Sequence, residues 1–375
     1  MRLVRTALWV LASLIFFILS CCAPEHHNND LLLTDPLESY AKGFRLQLTT
    51  QDTVLYLNTI PRLKLFYGKK IRSEEGLSDT VLSFSTPPKR IVCLSTTQVA
   101  FLQALGLEER IVGVAGARFL YSSRMLTAVS QGKILDVGQL PDLNVEALIA
   151  LKPDLVIGYS DSEYLPEYYR RLLNFHIPVL LCNEYLESHP LGRAEWIKCL
   201  GYLMGRYSLA KSIFDSIQSS YHHYRMHDSV TRPSVLLNLP WKDIWYIPGD
   251  STYVSQLLRD AGASNLLGKK FKDARSHALS QEEVWGAAKQ AEFWLHPGQA
   301  RSLKELWRYR HWKPFEKVQV YNNTRRSSVE NGNDFYESGV LLPHILLRDL
   351  RQIFHPLLLD TLYPSYFYER LEAEK

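Results

Sequence analysis

Two segments of the chain repeat one order of apolar and polar positions, once in each half. Residues 144–158 and residues 280–295 each begin with a short amphipathic stretch that carries an early glutamate, Glu146 in the first and Glu282 in the second. A polar turn and an apolar run of strand length follow in each case, so both segments are predicted to form a helix, a turn and a buried strand. This is half of a parallel βα repeat, and its recurrence predicts two similar α/β lobes with a cleft between them.

Short apolar runs rich in β-branched residues alternate with helical segments from Pro87 onward. These runs cover residues 90–94, 111–114, 155–157 and 179–181, and after Pro233 they cover residues 234–238, 244–247, 293–295 and 318–320. Such alternation is typical of parallel sheets that are covered by helices on both faces. The pattern therefore predicts an α/β protein with two Rossmann-like lobes.

A single long helix is predicted to join the lobes. Residues 206–226 contain no Pro or Gly, and apolar residues recur every four positions. The predicted stripe consists of Leu209, Ile213, Ile217 and Tyr221, widened by Ala210, Phe214 and Tyr224. A helix of this length measures about 30 Å. Such a stiff connection limits opening and closing of the lobes to a small hinge motion.

The segment before the first lobe has the alternation of β-strands. Residues 44–48 and 53–57 alternate apolar and polar positions around a plausible turn at residues 50–52, which predicts a β-hairpin extension. The predicted domains are a signal peptide (1–20), a flexible tether (21–36), the β extension (37–88), the first lobe (89–205), the connecting helix (206–228) and the second lobe (229–375).

The first twenty residues have the pattern of an export signal. Two arginines precede an apolar run over residues 7–19, which is too short to span a bilayer comfortably. The run closes with Ile18-Leu19-Ser20-Cys21, the pattern at which bacterial lipoproteins are cut and acylated. We therefore predict that Cys21 carries lipid, which anchors a periplasmic protein to a membrane. The alternatives are that Cys22 is the modified residue, or that the segment is an ordinary signal peptide.

Composition narrows the function classes further. The chain has 375 residues and a net charge of +4, without a block of Lys and Arg that would indicate nucleic-acid binding. It lacks a phosphate loop and a dinucleotide-binding Gly motif, and His223 and His227, although spaced as on a zinc helix, lack an apparent third ligand. We predict no metal site, no intrinsic cofactor and no catalytic residue. An exported α/β enzyme and a surface interaction lipoprotein remain the alternative classes.

Candidate ligand-binding residues lie at the ends of the predicted strands, where open α/β sheets place their sites. In the first lobe they are Thr96, Thr97, Arg118, Tyr121 and Tyr159. In the second lobe they are Trp241, Trp245, Tyr246, His296, Tyr321, Arg325 and Arg326. Aromatic walls and Arg donors suit flat or catecholate chelates with anionic oxygens, although each aromatic ring alone is as typical of a core. Tyr321 and His296 are also candidates for direct metal ligation.

A series of motifs, in this order, resembles those of the iron-chelate and cobalamin periplasmic binding protein family. They are the segments 88–95 and 151–157, the connecting helix, the segment 334–339, and the pairs Asp349-Leu350 and His355-Pro356. The resemblance extends from about residue 40 to residue 360 and is greatest to a subgroup with an N-terminal extension and a segment like 189–196. The chain departs from the family at Leu342-Pro343-His344 and at His355-Pro356-Leu357.

The resemblance implies a monomeric substrate-binding lipoprotein of an ABC importer. Such a protein captures an iron chelate, either a siderophore or haem, and delivers it to an inner-membrane permease that a separate ATPase drives. Cobalamin is the alternative ligand within the same family. The resemblance also implies that Glu146 and Glu282 dock on basic pockets of the two permease subunits. The alternative is that both glutamates only stabilise the starts of their helices through the helix dipole.

Overall fold

The computed structural model describes most of the chain after residue 38. The described residues are 39–48, 53–58, 63–67, 80–160, 162, 164–226, 231–306, 317–328, 330–358 and 363–372. The predicted signal peptide, Cys21 and the tether lie outside these residues.

A four-stranded sheet precedes the lobes. Its strands are β1 (Phe44–Leu48), β2 (Thr53–Leu57), β3 (Leu63–Tyr67) and β4 (Thr80–Phe84), in that order across the sheet. β1 and β2 pair antiparallel with Phe44 opposite Leu57, which confirms the predicted hairpin. β3 joins antiparallel to β2, and β4 lies parallel to β3, so the extension contains more strands than the hairpin alone.

Two buried glutamates bind the start of this extension to the first lobe. Glu195 accepts hydrogen bonds from the backbone N–H groups of Tyr40 (2.8 Å) and Ala41 (2.9 Å). Glu187 accepts from the next two backbone N–H groups and from the indole of Trp196 (3.1 Å). Hydrogen bonds to charged acceptors contribute about 1.5–3 kcal/mol each, so the extension is fixed to the lobe by specific contacts.

The first lobe is built around a parallel sheet with the strand order β11-β10-β5-β6-β7. Its strands are β5 (Ile91–Cys93), β6 (Ile111–Val114), β7 (Leu135–Asp136), β10 (Leu155–Gly158) and β11 (Val179–Leu181), with a small hairpin of β8 (Gly138–Gln139) and β9 (Asp142–Leu143). Its helices are α1 (Thr96–Ala104), α2 (Ser123–Ser130), α3 (Val145–Ala150), α4 (Glu167–Asn174) and α5 (Pro190–Leu203). Every residue of β5, β10 and β11 is buried, as expected for a parallel sheet with helices on both faces.

The connecting helix is α6 (Tyr207–Tyr224), an uninterrupted helix of 18 residues. Ala210, Phe214, Ile217 and Tyr221 are buried along one face. Leu209 is 40% exposed, so the prediction that it belongs to the buried stripe is wrong. The buried stripe is centred one position later along the chain, on Ala210. Ala210 packs so closely against Gly201 of α5 that position 201 has no room for a side chain larger than the hydrogen of glycine.

The second lobe has a sheet with the strand order β14-β12-β16-β17-β18. The strands of this lobe are β12 (Ser234–Leu237), β13 (Ile244–Pro248), β14 (Ser264–Asn265), β15 (Ser276–Ser280), β16 (Phe293–Leu295), β17 (Gln319–Asn322) and β18 (Glu369–Arg370). Its helices are α7 (Tyr253–Asp260), α8 (Gln281–Ala288), α9 (Leu303–Leu306) and α10 (Pro343–Phe354). The first four strands of the order are parallel, and β18 is antiparallel to β17. β13 pairs antiparallel with β15 in a separate ribbon, so the expectation that residues 244–247 belong to the parallel series is wrong.

One apolar core runs through both lobes. It includes Phe44 of the extension, Phe101 of the first lobe, Phe214 of the connecting helix and Leu346 of the second lobe. Smaller cores lie under the second faces of the two large sheets. The two lobes are therefore α/β units joined by packed helices. Within the described residues, no helix is both long and apolar enough to cross a membrane.

Candidate functional site

The carboxyl ends of the strands in the two lobes meet where the loop after β5 approaches the segment after β17. Thr96, which begins α1, donates a hydrogen bond through Oγ1 to the backbone oxygen of Tyr336 (3.3 Å). Gly332 lies so close to the first lobe that a Cβ atom there would stand 2.0 Å from the backbone oxygen of Leu120. The structure thus brings residues of both lobes together near the carboxyl ends of these strands.

Thr97 faces a buried carboxyl group that the sequence analysis missed. Its hydroxyl donates to Glu184 Oε1 (2.6 Å), which follows β11 at the same edge of the sheet. Burial raises the pKa of the Glu184 carboxyl above its usual range. Arg193 of α5 lies nearby, with its guanidinium carbon 3.9 Å from the ring centroid of Tyr253 in the second lobe. Together these residues form a polar and aromatic contact region between the lobes.

Tyr121 and Arg326 meet across the two lobes. The guanidinium carbon of Arg326 lies 4.9 Å from the ring centroid of Tyr121 and 4.2 Å from that of Tyr366. Arg326 Nε is also paired with Asp334 (2.6 Å). The arginine is therefore held between two aromatic rings and a carboxylate, in an orientation that a cation–π contact favours.

His296 has an unusual backbone conformation at the carboxyl end of β16. Its φ angle of 60° lies in the left-handed region that side chains rarely adopt, and such residues are frequent at functional sites. Its Nε2 atom lies 2.9 Å from the hydroxyl of Tyr368, and its ring also contacts the rings of Tyr368 (5.6 Å) and Phe335 (5.2 Å). Burial lowers the pKa of the imidazole to about 4, so His296 is neutral at physiological pH.

Tyr159 is fixed at the carboxyl end of β10. The hydroxyl of Tyr169 accepts from the backbone N–H of Tyr159 and donates to its carbonyl, both at 2.9 Å. The Tyr159 ring packs edge-on against Tyr185, with 5.8 Å between the ring centroids. Gly158 permits this arrangement, because a Cβ atom there would be 2.1 Å from the Tyr169 hydroxyl.

The tryptophans of the second lobe divide between core and surface. Trp245 is fully buried, packs edge-on against Trp285 (5.2 Å), and donates through Nε1 to the backbone oxygen of Leu237 (2.8 Å). We therefore assign Trp245 to the core and not to the ligand-binding set. Trp241 is 63% exposed with the Lys242 ammonium 4.6 Å from its ring, and Tyr246 is 40% exposed.

Three further candidates are Tyr321, whose backbone oxygen accepts from the His296 N–H (3.2 Å), Arg325 and Arg118. Tyr321 lies within β17, half-buried, and its ring packs against Phe293 (6.4 Å) on the face of the sheet. Arg325 is exposed in the turn that follows. Arg118 is exposed, donates to Gln139 (3.2 Å), and lines a cavity of about 400 Å³. The other residues that line this cavity are Ala117, Leu126, Thr127, Val129, Ser130 and Glu330.

Glu146 and Glu282 are exposed in the first turns of α3 and α8. The capping hydrogen bonds of these helices are made by Asn144, which accepts from the Ala147 N–H, and by Ser280. Glu146 pairs with Arg171 (2.6 Å), and this contact holds the pKa of the Glu146 carboxyl below its usual range. Both glutamates are therefore exposed on the surface, and the side-chain capping bonds of their helices are made by Asn144 and Ser280.

The sequence of the chain matches one known family. The pattern of the periplasmic binding protein family matches residues 91–303. An uncharacterized lipoprotein of Methanocaldococcus jannaschii is 23% identical over 296 residues, which cover 76% of this chain and 69% of that protein. An uncharacterized ABC transporter substrate-binding lipoprotein of Bacillus subtilis is 25% identical over 197 residues, covering 51% of this chain and 59% of the relative.

A solved structure has the same fold. A periplasmic haem-binding protein from Pseudomonas aeruginosa is similar with a TM-score of 0.55 and 20% sequence identity. The similarity covers 77% of this chain and 99% of that protein. The fold of this chain is thus similar to that of the Pseudomonas aeruginosa protein.

Proposed function

The chain belongs to the periplasmic binding protein family, and from this premise we propose that it is the substrate-binding lipoprotein of an ABC importer for an iron chelate. The family is one of binding proteins rather than enzymes. The chelate is a siderophore or haem, bound between the lobes as cargo and not as an intrinsic cofactor. The protein acts as a monomer and does not bind nucleic acid.

The observation that carries this proposal is the convergence of aromatic rings from both lobes around the guanidinium of Arg326. Tyr121 and Thr96 of the first lobe contact Arg326 and Tyr336 of the second, and Tyr336 is 57% exposed beside them. The exposed ring of Trp241 adds to the aromatic character of the second lobe. Aromatic faces bind flat ligands, and a guanidinium binds carboxylate or phenolate oxygens through paired donors.

His296 supports a ligand that contains a metal. Burial lowers the pKa of the imidazole to about 4, so the ring is in the neutral form that binds iron, with its Nε2 atom held at 2.9 Å by the Tyr368 hydroxyl. The left-handed backbone that holds it is maintained at some cost in free energy, which is expected where a side chain must keep one orientation. Within the described residues, no group of three or more His, Cys, Asp or Glu is placed to hold a metal ion.

The proposed partners are the inner-membrane permease and its ATPase. Glu146 and Glu282 are both exposed at helix starts in equivalent segments of the two lobes. A surface that binds two related subunits needs one contact from each lobe, and charged contacts at the rim of an interface raise its association rate. We propose that these two glutamates dock the loaded protein on the permease.

The proposed location is the periplasm, with lipid on Cys21 holding the protein to a membrane. Residues 1–20 serve as the signal peptide, residues 21–36 as the tether and residues 37–88 as the β extension. The lobes then comprise residues 89–205 and 229–375, joined by residues 206–228. The relative from Methanocaldococcus jannaschii and the one from Bacillus subtilis are both named lipoproteins, which supports this location.

A titration with three probes tests the ligand class. Haemin, a ferric hydroxamate chelate and cyanocobalamin are each added to the purified full chain, and binding is measured by calorimetry. We expect one of the two iron chelates to bind with a dissociation constant in the micromolar range or below. Binding of cyanocobalamin alone would establish the alternative ligand. If no probe binds and a wider set of metal chelates also leaves the heat signal unchanged, the proposed function is wrong.

A further inference from the structure

Glu337 of the second lobe forms hydrogen bonds with the backbone of the first lobe. Its Oε2 atom accepts from the N–H of Tyr121 (2.7 Å), and its Oε1 atom accepts from the N–H of Ser122 (3.2 Å). The side chain is only 2% exposed. Hydrogen bonds from backbone N–H groups to a buried carboxyl group are among the stronger ones in proteins.

The two amides that Glu337 accepts from lie at the start of α2. Ser122 is the residue before this helix, and its hydroxyl accepts a hydrogen bond from Gln103 Nε2 (3.0 Å). The first turn of α2, Ser-Arg-Met-Leu, contains no acidic residue. The amino end of a helix carries a partial positive charge, which a nearby carboxylate stabilises. Glu337 supplies a carboxyl group at this position from the opposite lobe; burial raises its pKa to about 7, while the two N–H donors act to lower it.

The segment that carries Glu337 is itself fixed. Arg326 and Asp334 form an ion pair at its start, and Asn333 Nδ2 donates to the backbone oxygen of Asn323 (3.1 Å). The Gly339 N–H donates to the backbone oxygen of Asp334 (3.0 Å). A carboxyl group held on a rigid segment determines the position of the partner that it binds.

We propose that Glu337 is a positioning residue that holds the two halves of the ligand site together. By fixing the backbone of Tyr121 and Ser122, it places the Tyr121 ring under the Arg326 guanidinium. The contacts of Thr96 and Gly332 lie along the same boundary between the lobes. This inference rests on the proposed function in one respect, that Tyr121 and Arg326 bind the chelate. The contact between Glu337 and the backbone of Tyr121 and Ser122 does not depend on any ligand.

Hydrogen exchange of the ligand-free full chain tests the contact directly. The amides of Tyr121 and Ser122 are followed by mass spectrometry in the wild type and in Glu337→Gln and Glu337→Ala. The Gln side chain keeps the volume but has a single acceptor oxygen, whereas Ala has none. We expect exchange at these two amides to rise by about tenfold or more in the Gln variant, and further in the Ala variant.

Asp154→Asn is the matched control. Asp154 also accepts from two consecutive backbone amides, those of Lys89 (2.8 Å) and Arg90 (3.0 Å), but all three residues belong to the first lobe. Both bonds go to one oxygen, Oδ2, which the amide oxygen of Asn can replace, so this variant removes the charge and should leave exchange at residues 89–90 and 121–122 nearly unchanged. Equal exchange at 121–122 in wild type and Glu337→Gln, or a uniform rise that Asp154→Asn reproduces, overturns the proposal.

A second measurement connects the contact to ligand binding. The dissociation rate of haemin, or of the ferric hydroxamate chelate if that is the probe that binds, should rise several-fold in Glu337→Gln and remain unchanged in Asp154→Asn. An unchanged rate together with faster exchange would show that Glu337 joins the lobes without positioning the site. If no probe binds to the wild type, the proposed function fails, while the exchange experiment still decides whether the contact exists.

Discussion

Removing the indole of Trp245 or of Trp241 should have opposite consequences. Trp245 is fully buried against Trp285, and its Nε1–H donates to the backbone oxygen of Leu237. Truncating a buried Trp to Ala costs about 3–5 kcal/mol, to which the lost hydrogen bond adds about 1 kcal/mol. At roughly 1.5 °C per kcal/mol for a chain of this length, the melting temperature of Trp245→Ala should fall by about 6–9 °C.

Trp241 is 63% exposed, so its truncation removes little packing. The free energy of unfolding of Trp241→Ala should change by less than about 0.5 kcal/mol. If the ring forms part of the chelate site, affinity should fall by about 2 kcal/mol, which is roughly thirtyfold. The two variants are matched in chemistry and differ only in whether the indole packs inside the lobe or lies on its surface.

The assay combines thermal unfolding with calorimetric titration of the chelate that binds to the wild type, below the melting temperature of each variant. Trp245→Ala should be destabilised and keep near-normal affinity, whereas Trp241→Ala should keep its stability and lose affinity. The reasoning would be refuted if Trp245→Ala melted like the wild type and lost chelate binding, because Trp245 would then line the site.

Three further predictions concern docking, acidity and the anchor. Reversing both charges with Glu146→Arg and Glu282→Arg should leave chelate affinity unchanged and abolish stimulation of the transporter ATPase in reconstituted vesicles; unaffected stimulation would contradict docking. As pH falls from about 6.5 towards 4, the free energy of unfolding of the wild type should fall relative to that of His296→Asn by up to about 3 kcal/mol. The reason is that the imidazole takes up a proton in the unfolded chain but not in the folded one. A difference between the two proteins that does not depend on pH in urea unfolding would argue against this. Cys21→Ala should prevent incorporation of labelled fatty acid, and normal labelling would move the lipid to Cys22.

Local periodicity predicted much of the fold. The predicted strands of the first lobe and the connecting helix are present because short β-branched runs and a four-residue apolar repeat are local signals. The error at Leu209 arose because a helix with apolar residues at two adjacent positions can be rotated by one residue without losing its stripe. Only the close packing of Ala210 against Gly201 of α5 determines which of the two is buried.

The candidate site depended more on tertiary structure. Trp245 and Tyr246 are neighbours in β13, so they must point to opposite faces, and the sequence does not show which face is the core. Similarly, no local pattern pairs Glu337 with the backbone of Tyr121, because the two are 216 residues apart. Thr96 and Tyr121, which were chosen because they follow strands, do lie beside residues of the second lobe, since parallel strands bring their carboxyl ends to one edge; whether they bind a ligand stays a prediction.

Glu184 and Arg193 were missed for a related reason. Charged residues in sequence are usually assigned to the surface, because burying an unpaired charge is costly. Here Glu184 is only 4% exposed and is accommodated by the hydroxyl of Thr97, while Arg193 lies against the ring of Tyr253. Partners from other segments of the chain make this burial possible, and they become visible only in the folded chain.

Native mass spectrometry of the protein purified from its own cells tests the central claim most directly. We predict that a fraction of the chain carries one additional ligand whose mass and isotope pattern identify an iron chelate, and that the mass of the chain itself includes the lipid on Cys21. The ligand-bound fraction should decrease in the Trp241→Ala variant. A chain that carries no chelate, even after growth and purification with iron chelates present, would contradict the account.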